Sequence, residues 1–479
     1  MSTRYNFFGG LVTDGLILNL DAAKLQSYSG SSDNWYDISG NNRNAKLLNG
    51  PTFSGFGKQA SIFFDGTDDV LSFTATSINN DSFFNSLYTN GLSITTWFTL
   101  PSNFNVPNTD GRSILYRGNS GAEANWWHYS LNQPNNNPIN GVRQRFWIGN
   151  GSSYSPWVHY GENRLQSGST YFGTVIWNPI NSNQATVRLY LNGSLEYEKI
   201  TTKGTGISLS SANNLGNFPD SGWSPYFNQY ALSVYNKAIS PFDVFQNYNA
   251  YKYRFNIPDI VTSGLTLNLD AGNPYSYNPD NTSTTTWVDT TYLTTGGTLT
   301  NGAYYSGGTM VFDGTNDYAV SSNSGLNLTE LTICAWVNFN SISNSLYPTI
   351  TNKETSNLNR NWWLGLLTDG KFTFGRSVSG VDSLIQSTIT PNLNQWYFVC
   401  CTNDLLPTFK IYINGNLNNT NVLSGTLSTN GNQNWIGTYA GGGTYPMAGK
   451  ISNVQIYNRA LSQAEITQNF NATRGRYGI

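Results

Sequence analysis

Charge is scarce in this sequence. Asp, Glu, Lys and Arg make up 11 % of its 479 residues, under half of the roughly 25 % usual in a soluble domain. The 25 basic and 27 acidic residues leave a net charge of −2. A nucleic-acid binder displaces phosphate counterions with clustered Lys and Arg, so that class is excluded. The same balance argues against a polybasic membrane-surface protein. Histidine (2) and cysteine (3) are also rare. Three cysteines do not make a disulfide framework; Cys334, Cys400 and Cys401 lie in apolar, strand-like runs and are expected as buried free thiols. His128 and His159 lie far from them in sequence, which argues against a metal site, and no Gly-x-Ser-x-Gly accompanies either histidine. No apolar run approaches the roughly 18 residues of a membrane-spanning helix. The start, Met1 to Phe7, has no apolar stretch of the kind a secretory signal requires. Heptads are absent, so no coiled-coil stalk is encoded.

What is present is aromatic and uncharged-polar. Aromatics are 14 % and hydrophobics 38 %, too many for a disordered chain. The polarity comes from Asn, Ser, Thr and Gly, residues of turns and strand surfaces. A large all-β protein is expected.

The chain is one unit written twice. Thr13-Asp14-Gly15-Leu16-Ile17-Leu18-Asn19-Leu20-Asp21-Ala22 recurs 249 residues later as Thr262-Ser263-Gly264-Leu265-Thr266-Leu267-Asn268-Leu269-Asp270-Ala271. Trp35 matches Trp287, and Phe64-Asp65-Gly66-Thr67-Asp68-Asp69 matches Phe312-Asp313-Gly314-Thr315-Asn316-Asp317. Trp97 matches Trp336, Trp126-Trp127 matches Trp362-Trp363, and Asn192-Gly193 matches Asn414-Gly415. By Tyr248 and Phe470 the offset has shrunk to 222, so the first copy carries about 27 more residues. They are expected around Asp81–Asn90 and Asn132–Gly161. Such internal repetition implies two domains of one fold: an arm over 1–10, a first domain over 11–256 and a second over 257–479.

Local signals support strands. Val187 to Leu191 alternates and runs into Asn192-Gly193; Lys410 to Ile413 runs into Asn414-Gly415. Both residues of Asn-Gly accept the positive φ of a type I′ hairpin turn. One helix per unit is expected near its end. Ser462-Gln463-Ala464-Glu465 has the spacing of a capping box, and Ser240-Pro241-Phe242-Asp243 places Pro at the first helical position.

The opening Gly-Leu-x-Leu-x-Leu-Asp-Ala, the Trp-x-Asp, the Phe-Asp-Gly-Thr-x-Asp, the Ile-x-x-Trp strand and the closing Tyr-Asn-x-Ala-(Ile/Leu)-Ser together resemble the concanavalin A-like, laminin G-like jelly roll. The resemblance covers nearly the whole chain, twice. It implies two tandem β-sandwiches, each with a short helix near its C-terminus, and a binding or scaffolding role, commonly towards glycans. The ending Asn471 to Gly478 resembles modules of virion proteins of tailed phages, particularly marine ones. Such modules also occur in secreted bacterial proteins.

Glycan-cleaving relatives on this fold carry paired carboxylates, one class as Glu-x-Asp-x-x-Glu, acting as acid and nucleophile. None of the seven Glu residues (123, 162, 196, 198, 330, 354 and 465) has Asp two positions on. Glu196 and Glu198 are expected on one strand face, but the second copy has Asn418 and Thr420 there. A glycoside hydrolase is therefore the weakest reading, and no enzyme activity is expected. The clusters Asp65, Asp68, Asp69 and Asp313, Asp317 suit a hard cation such as calcium; an Asp-Gly turn explains them equally well. No other cofactor is expected.

Aromatics without a repeat counterpart are the binding candidates, because exposed loop rings stack on sugars and anchor protein interfaces alike. They are Trp157, His159, Tyr160, Trp223 and Tyr226, with Arg143 donating N–H groups to sugar hydroxyls. Tyr5, Phe7 and Phe8 form a candidate partner-docking arm. The resulting expectation is a non-enzymatic virion structural or decoration protein on a capsid or tail. It would be made in a host cytoplasm and present in many copies. Its partners would be other virion proteins and, through polyvalent contacts, cell-surface glycans; neither nucleic acid nor membrane is among them. The alternative is a secreted or surface-attached bacterial lectin-like adhesin.

Overall fold

The computed structural model describes residues 10–55, 57–73, 90–104, 111–118, 127–134, 141–149, 157–203, 214–217, 223–281, 283–321, 324–342, 347–354, 359–429, 433–439 and 444–479. Tyr5, Phe7, Phe8, Trp126 and nearly all of the 81–90 stretch lie outside these. The chain divides into two units, Met1–Ile257 with Gly475–Ile479, and Pro258–Arg474.

Each unit is a sandwich of two antiparallel sheets of eight strands. In the first unit one sheet runs Ser194–Thr202, Gln184–Leu191, Thr170–Pro179, Leu92–Thr99, Tyr226–Tyr235, Ser61–Asp65, Thr52–Ser54, with Leu16–Asp21 also paired to Tyr226–Tyr235. The other runs Trp157–Tyr160, Arg143–Ile148, Trp127–Asn132, Arg112–Gly118, Asn214–Gly216, Val70–Phe73, Ala45–Leu48, Asn34–Trp35. The second unit repeats the plan. Its first sheet is built on Leu331–Ser341 and Ala448–Tyr457, and its second is ordered Thr286–Trp287, Gly297–Thr300, Tyr318–Ser321, Asn434–Ile436, Thr349–Glu354, Arg360–Leu366, Phe372–Val378, Val381–Gln386. All-β sandwiches in tandem are thus observed as expected.

The cores lie between the sheets. Trp35, Ile94, Trp127 and Phe146 are buried together in the first, and Trp287, Ile333, Trp362 and Phe374 in the second. The hairpin turns behave as the Asn-Gly pairs dictate: φ is 49° at Asn192 and 81° at Gly193, and 50° and 80° at Asn414 and Gly415.

The first sheet of each unit is covered on its outer face as well. Helix α1 (Pro241–Tyr251) stacks Tyr248 on Trp97 at 5.7 Å, and α2 (Gln463–Thr473) stacks Phe470 on Trp336 at 5.8 Å. Both helices start in complete capping boxes, Ser240 with Asp243 and Ser462 with Glu465. This double cover explains the unbroken apolar run Trp396 to Cys401 within the strand Trp396–Asn403, since a strand covered on both faces does not need to alternate.

It also corrects the cysteine expectation. Cys334 and Cys400 are register partners on neighbouring strands and form a disulfide. Cys401, one residue on, points into the core as a free thiol. Pairing across a sheet is invisible in sequence spacing.

Candidate functional site

The second sheet of each unit has an outer face that no helix described above covers, and its register aligns the two copies. In the first unit a row crosses the strands as Gly216, Tyr116, His128, Trp147, Val158. In the second, the corresponding row is Trp435, Asn352, Trp363, Gly375, Leu384. The core residues beside these rows, Trp127 and Trp362, fix the alignment. Trp362 therefore corresponds to Trp127, and Trp363 to His128. The sequence match of Trp126-Trp127 with Trp362-Trp363 is off by one residue. In a strand that slip exchanges the faces: Trp363 belongs to the outer face.

In the second unit this face holds a cavity of about 360 Å³. Its walls are Trp363 and three half-buried tyrosines, Tyr347, Tyr439 and Tyr445. Tyr445 meets Tyr347 at 87° and 4.9 Å, and Tyr439 at 73° and 5.5 Å. The Trp363 indole is held by donating Nε1–H to Thr349 Oγ1 at 2.9 Å. Arg360 and Asp382 supply the polar side. Arg360 donates from Nε to Glu354 Oε2 at 2.7 Å and from Nη1 to Asp382 Oδ1 at 2.6 Å. Burial raises both carboxyls while Arg360 opposes that rise. Glycine at 375 makes the arrangement possible, since a Cβ there would lie 2.4 Å from Leu384 Cδ2 and 2.9 Å from Arg360 Nη1. Rings with a few convergent polar groups in a concave site are what orient a small polar ligand.

The first unit fills the corresponding face with its own side chains. Trp147 stands where Gly375 stands in the second unit. The Arg145 guanidinium lies 4.1 Å from the Trp147 ring and 4.5 Å from that of Trp223. Arg145 also donates from Nε to Ser130 Oγ at 3.0 Å. His128 joins the cluster 5.1 Å from Trp223, and its Nε2 lies 2.9 Å from Ser113 Oγ. Burial, then Arg145, pushes the His128 pKa well below its usual value.

The other candidate residues are dispersed. Tyr160 pairs with Arg145 across the sheet, and the Trp157 backbone pairs with Ile148. His159 is buried in the opposite sense, with Nδ1 3.1 Å from the Tyr197 hydroxyl, and burial followed by Lys199 pushes it down to about 4. Arg143 donates to the Gly161 carbonyl at 3.3 Å. Tyr226 lies on the first sheet, stacked on Phe104 and donating to Asn103 Oδ1 at 2.7 Å. His159, Arg143 and Tyr226 thus have different neighbours from Trp223 and from one another. Glu196 and Glu198 do not share a face either. A bulge makes Glu196 the extra residue and turns it inward, while Glu198 pairs outside with Arg188.

The Asp loops are turns closed on their own backbone. Asp65 Oδ1 accepts from Thr67 N and Asp69 Oδ2 from Asp65 N, both at 2.8 Å. Asp313 and Asp317 repeat the pattern at 2.7 and 3.0 Å. Carboxylate oxygens of Asp65, Asp68 and Asp69 could still gather round one ion, lying within 4.8 Å of one another, but Asn316 replaces Asp68 in the second copy.

The residues that sequence reasoning missed are those of the second-unit cavity. Its signal was weak: Tyr439 and Tyr445 flank a Gly-Gly-Gly stretch, and Tyr347 precedes Pro348.

Comparison with known proteins agrees with the fold. Residues 313–467 match the Laminin_G_3 family model, the concanavalin A-like lectin/glucanases superfamily. No curated protein matches the chain. Among solved structures, domain 4 of AbnA, an extracellular GH43 arabinanase of Geobacillus stearothermophilus in complex with arabinotriose, is 16 % identical, with 43 % of this chain and 98 % of that chain covered and a TM-score of 0.34. Trypanosoma rangeli sialidase in complex with sialic acid is 13 % identical, with 88 % and 62 % covered and a TM-score of 0.35. A heptameric SAP-like pentraxin of Limulus polyphemus is 21 % identical, with 33 % and 72 % covered and a TM-score of 0.25. The second unit thus carries a match to the concanavalin A-like lectin/glucanase superfamily, on a sandwich that the first unit repeats.

Proposed function

We propose that this chain is a non-enzymatic, lectin-like glycan-binding protein exposed on a virion, as a structural or decoration component of capsid or tail. The observation that carries the binding reading is the second-unit cavity: four aromatic side chains beside an Arg–carboxylate group, on an open sheet face of a lectin-type fold. Rings stack on the C–H faces of sugars while carboxylates accept from their hydroxyls. The non-enzymatic reading is supported by the state of the two carboxylates, since Glu354 and Asp382 are both engaged by one guanidinium. Weak single sites become useful when many copies share a particle.

A glycan array probed with the intact chain at high valency tests the binding reading. Tyr445→Ala, which removes a wall that the core does not need, is expected to weaken the hits at least about tenfold with an unchanged melting temperature. No hit above background sinks the reading. Mass spectrometry of purified particles tests the location, and absence of the chain from them sinks the virion assignment. One observation favours the alternative of a secreted or surface-attached adhesin: the Cys334–Cys400 disulfide, because such bonds persist mainly in oxidising compartments.

A further inference from the structure

We infer that the second-unit cavity selects saccharides carrying an ammonium group and rejects acidic ones. This rests on the glycan-binding reading and deepens it. Three arguments converge.

The first is charge. Arg360 contributes one positive charge and Glu354 and Asp382 two negative ones, so the group carries a net −1. The guanidinium is already matched twice, through Nε and Nη1. A carboxylate or sulfate on a ligand would meet Asp382, the more exposed of the two acids at 27 % of its side chain, with the local cation already matched by two carboxylates.

The second is shape. Tyr445 stands nearly perpendicular to both Tyr347 and Tyr439. The rings therefore form adjoining walls instead of one flat shelf. Where such walls turn their ring faces inward they present the negative side of the aromatic quadrupole, which favours a cation, whereas ring edges are positive.

The third comes from the first unit. On the equivalent face a cation is already lodged between rings, the Arg145 guanidinium between Trp147 and Trp223. The second unit has Gly375 in place of Trp147; its Arg360 guanidinium lies 5.6 Å from the Trp363 ring, beside the space that the tyrosines enclose.

The test uses the intact chain and three oligosaccharide probes of equal length at pH 6: a β-linked glucosamine oligomer with free amines, its N-acetylated form, and a uronic-acid oligomer. The amine oligomer is expected to bind roughly tenfold more tightly than the N-acetylated one, equivalent to about 1.4 kcal/mol, and the acidic oligomer not measurably. Asp382→Asn should abolish the preference, and Tyr445→Ala should weaken both ligands. Equal binding of the amine and N-acetylated probes overturns the inference and leaves the glycan reading standing. Tighter binding of the acidic probe overturns it too. A preference that survives both substitutions is attraction to the acidic protein at large and also overturns it. If none of the probes binds, the inference fails, and the glycan reading then stands or falls with the array.

Discussion

Replacing Glu196 with Gln should change how the stability of the first unit depends on pH. Glu196 is the bulged residue that turns into the sandwich. It is 2 % exposed, and its carboxylate accepts from Gln144 Nε2 at 2.6 Å and from Asn163 N at 3.1 Å. Gln144 in turn accepts from the Tyr129 hydroxyl. Gly161 makes room for it, since a Cβ there would lie 2.2 Å from Glu196 Oε1. Burial pushes the carboxyl up to about 7 from an ordinary 4.5, against the opposing hydrogen bonds of Asn163 and Gln144. The folded state thus holds a proton that the unfolded chain has released. The stabilisation this gives is complete below about 4.5 and is lost as pH rises through about 7, in total about 3 kcal/mol. His159 and His128 act in the opposite direction. Their pKa values are depressed, His159 to about 4, so the stability they contribute is present above about 6.5 and lost as pH falls. In the wild type the two slopes oppose each other, which is why the difference between variants is the informative quantity. Gln cannot titrate, and the hydrogen bond it loses is a pH-independent offset. Urea unfolding of both proteins from pH 4 to 8, read on the first-unit transition, should show the variant gaining about 3 kcal/mol on the wild type between pH 4.5 and 7. Parallel curves would refute the reasoning.

Two further outcomes follow from the same structure. Thiol titration of the denatured, unreduced chain should find one reactive thiol, Cys401, and three after reduction; three without reduction would show that Cys334 and Cys400 are not joined. Chelation of divalent ions should leave the melting temperature unchanged, because Asp65, Asp69, Asp313 and Asp317 already accept backbone N–H groups. A fall of several degrees would instead make the Asp loops ion sites.

The parts of the fold legible in the sequence are those fixed by neighbours along the chain. The Asn-Gly turns require positive φ at two adjacent residues, and the helix starts need Ser and an acid three apart. Both can be read within five residues. The disulfide could not be read, because Cys334 and Cys400 meet only through sheet register. Glu196 was misplaced because a bulge breaks the period of two on which every face assignment in a strand depends. The same period explains the one-residue slip at Trp362-Trp363: two adjacent tryptophans look interchangeable in sequence, and one packs the core while the other lines the cavity. The site was illegible for a related reason. Its rings come from three separate strands or loops, and no spacing connects Tyr347, Trp363 and Tyr445.

The duplication shows which positions the fold constrains. Turns, helix caps and core tryptophans recur in both units because a change at any of them costs the sandwich directly: an unsatisfied cap costs about 1 kcal/mol and a lost core tryptophan several. The outer row of the second sheet carries no such constraint, and there the copies diverge completely, Tyr116-His128-Trp147 against Asn352-Trp363-Gly375. One exchange, Trp147 for Gly375, decides whether the face is filled or enclosed. Scarce charge fits this division of labour. Three of the chain's arginines, Arg117, Arg145 and Arg376, are fully buried, where they hold strands and loops together: Arg376, for example, donates to the carbonyls of Leu328, Thr329 and Ser428. In the second-unit cavity the lining cation, Arg360, is likewise engaged within the protein, by Glu354 and Asp382, which leaves the remaining walls to rings.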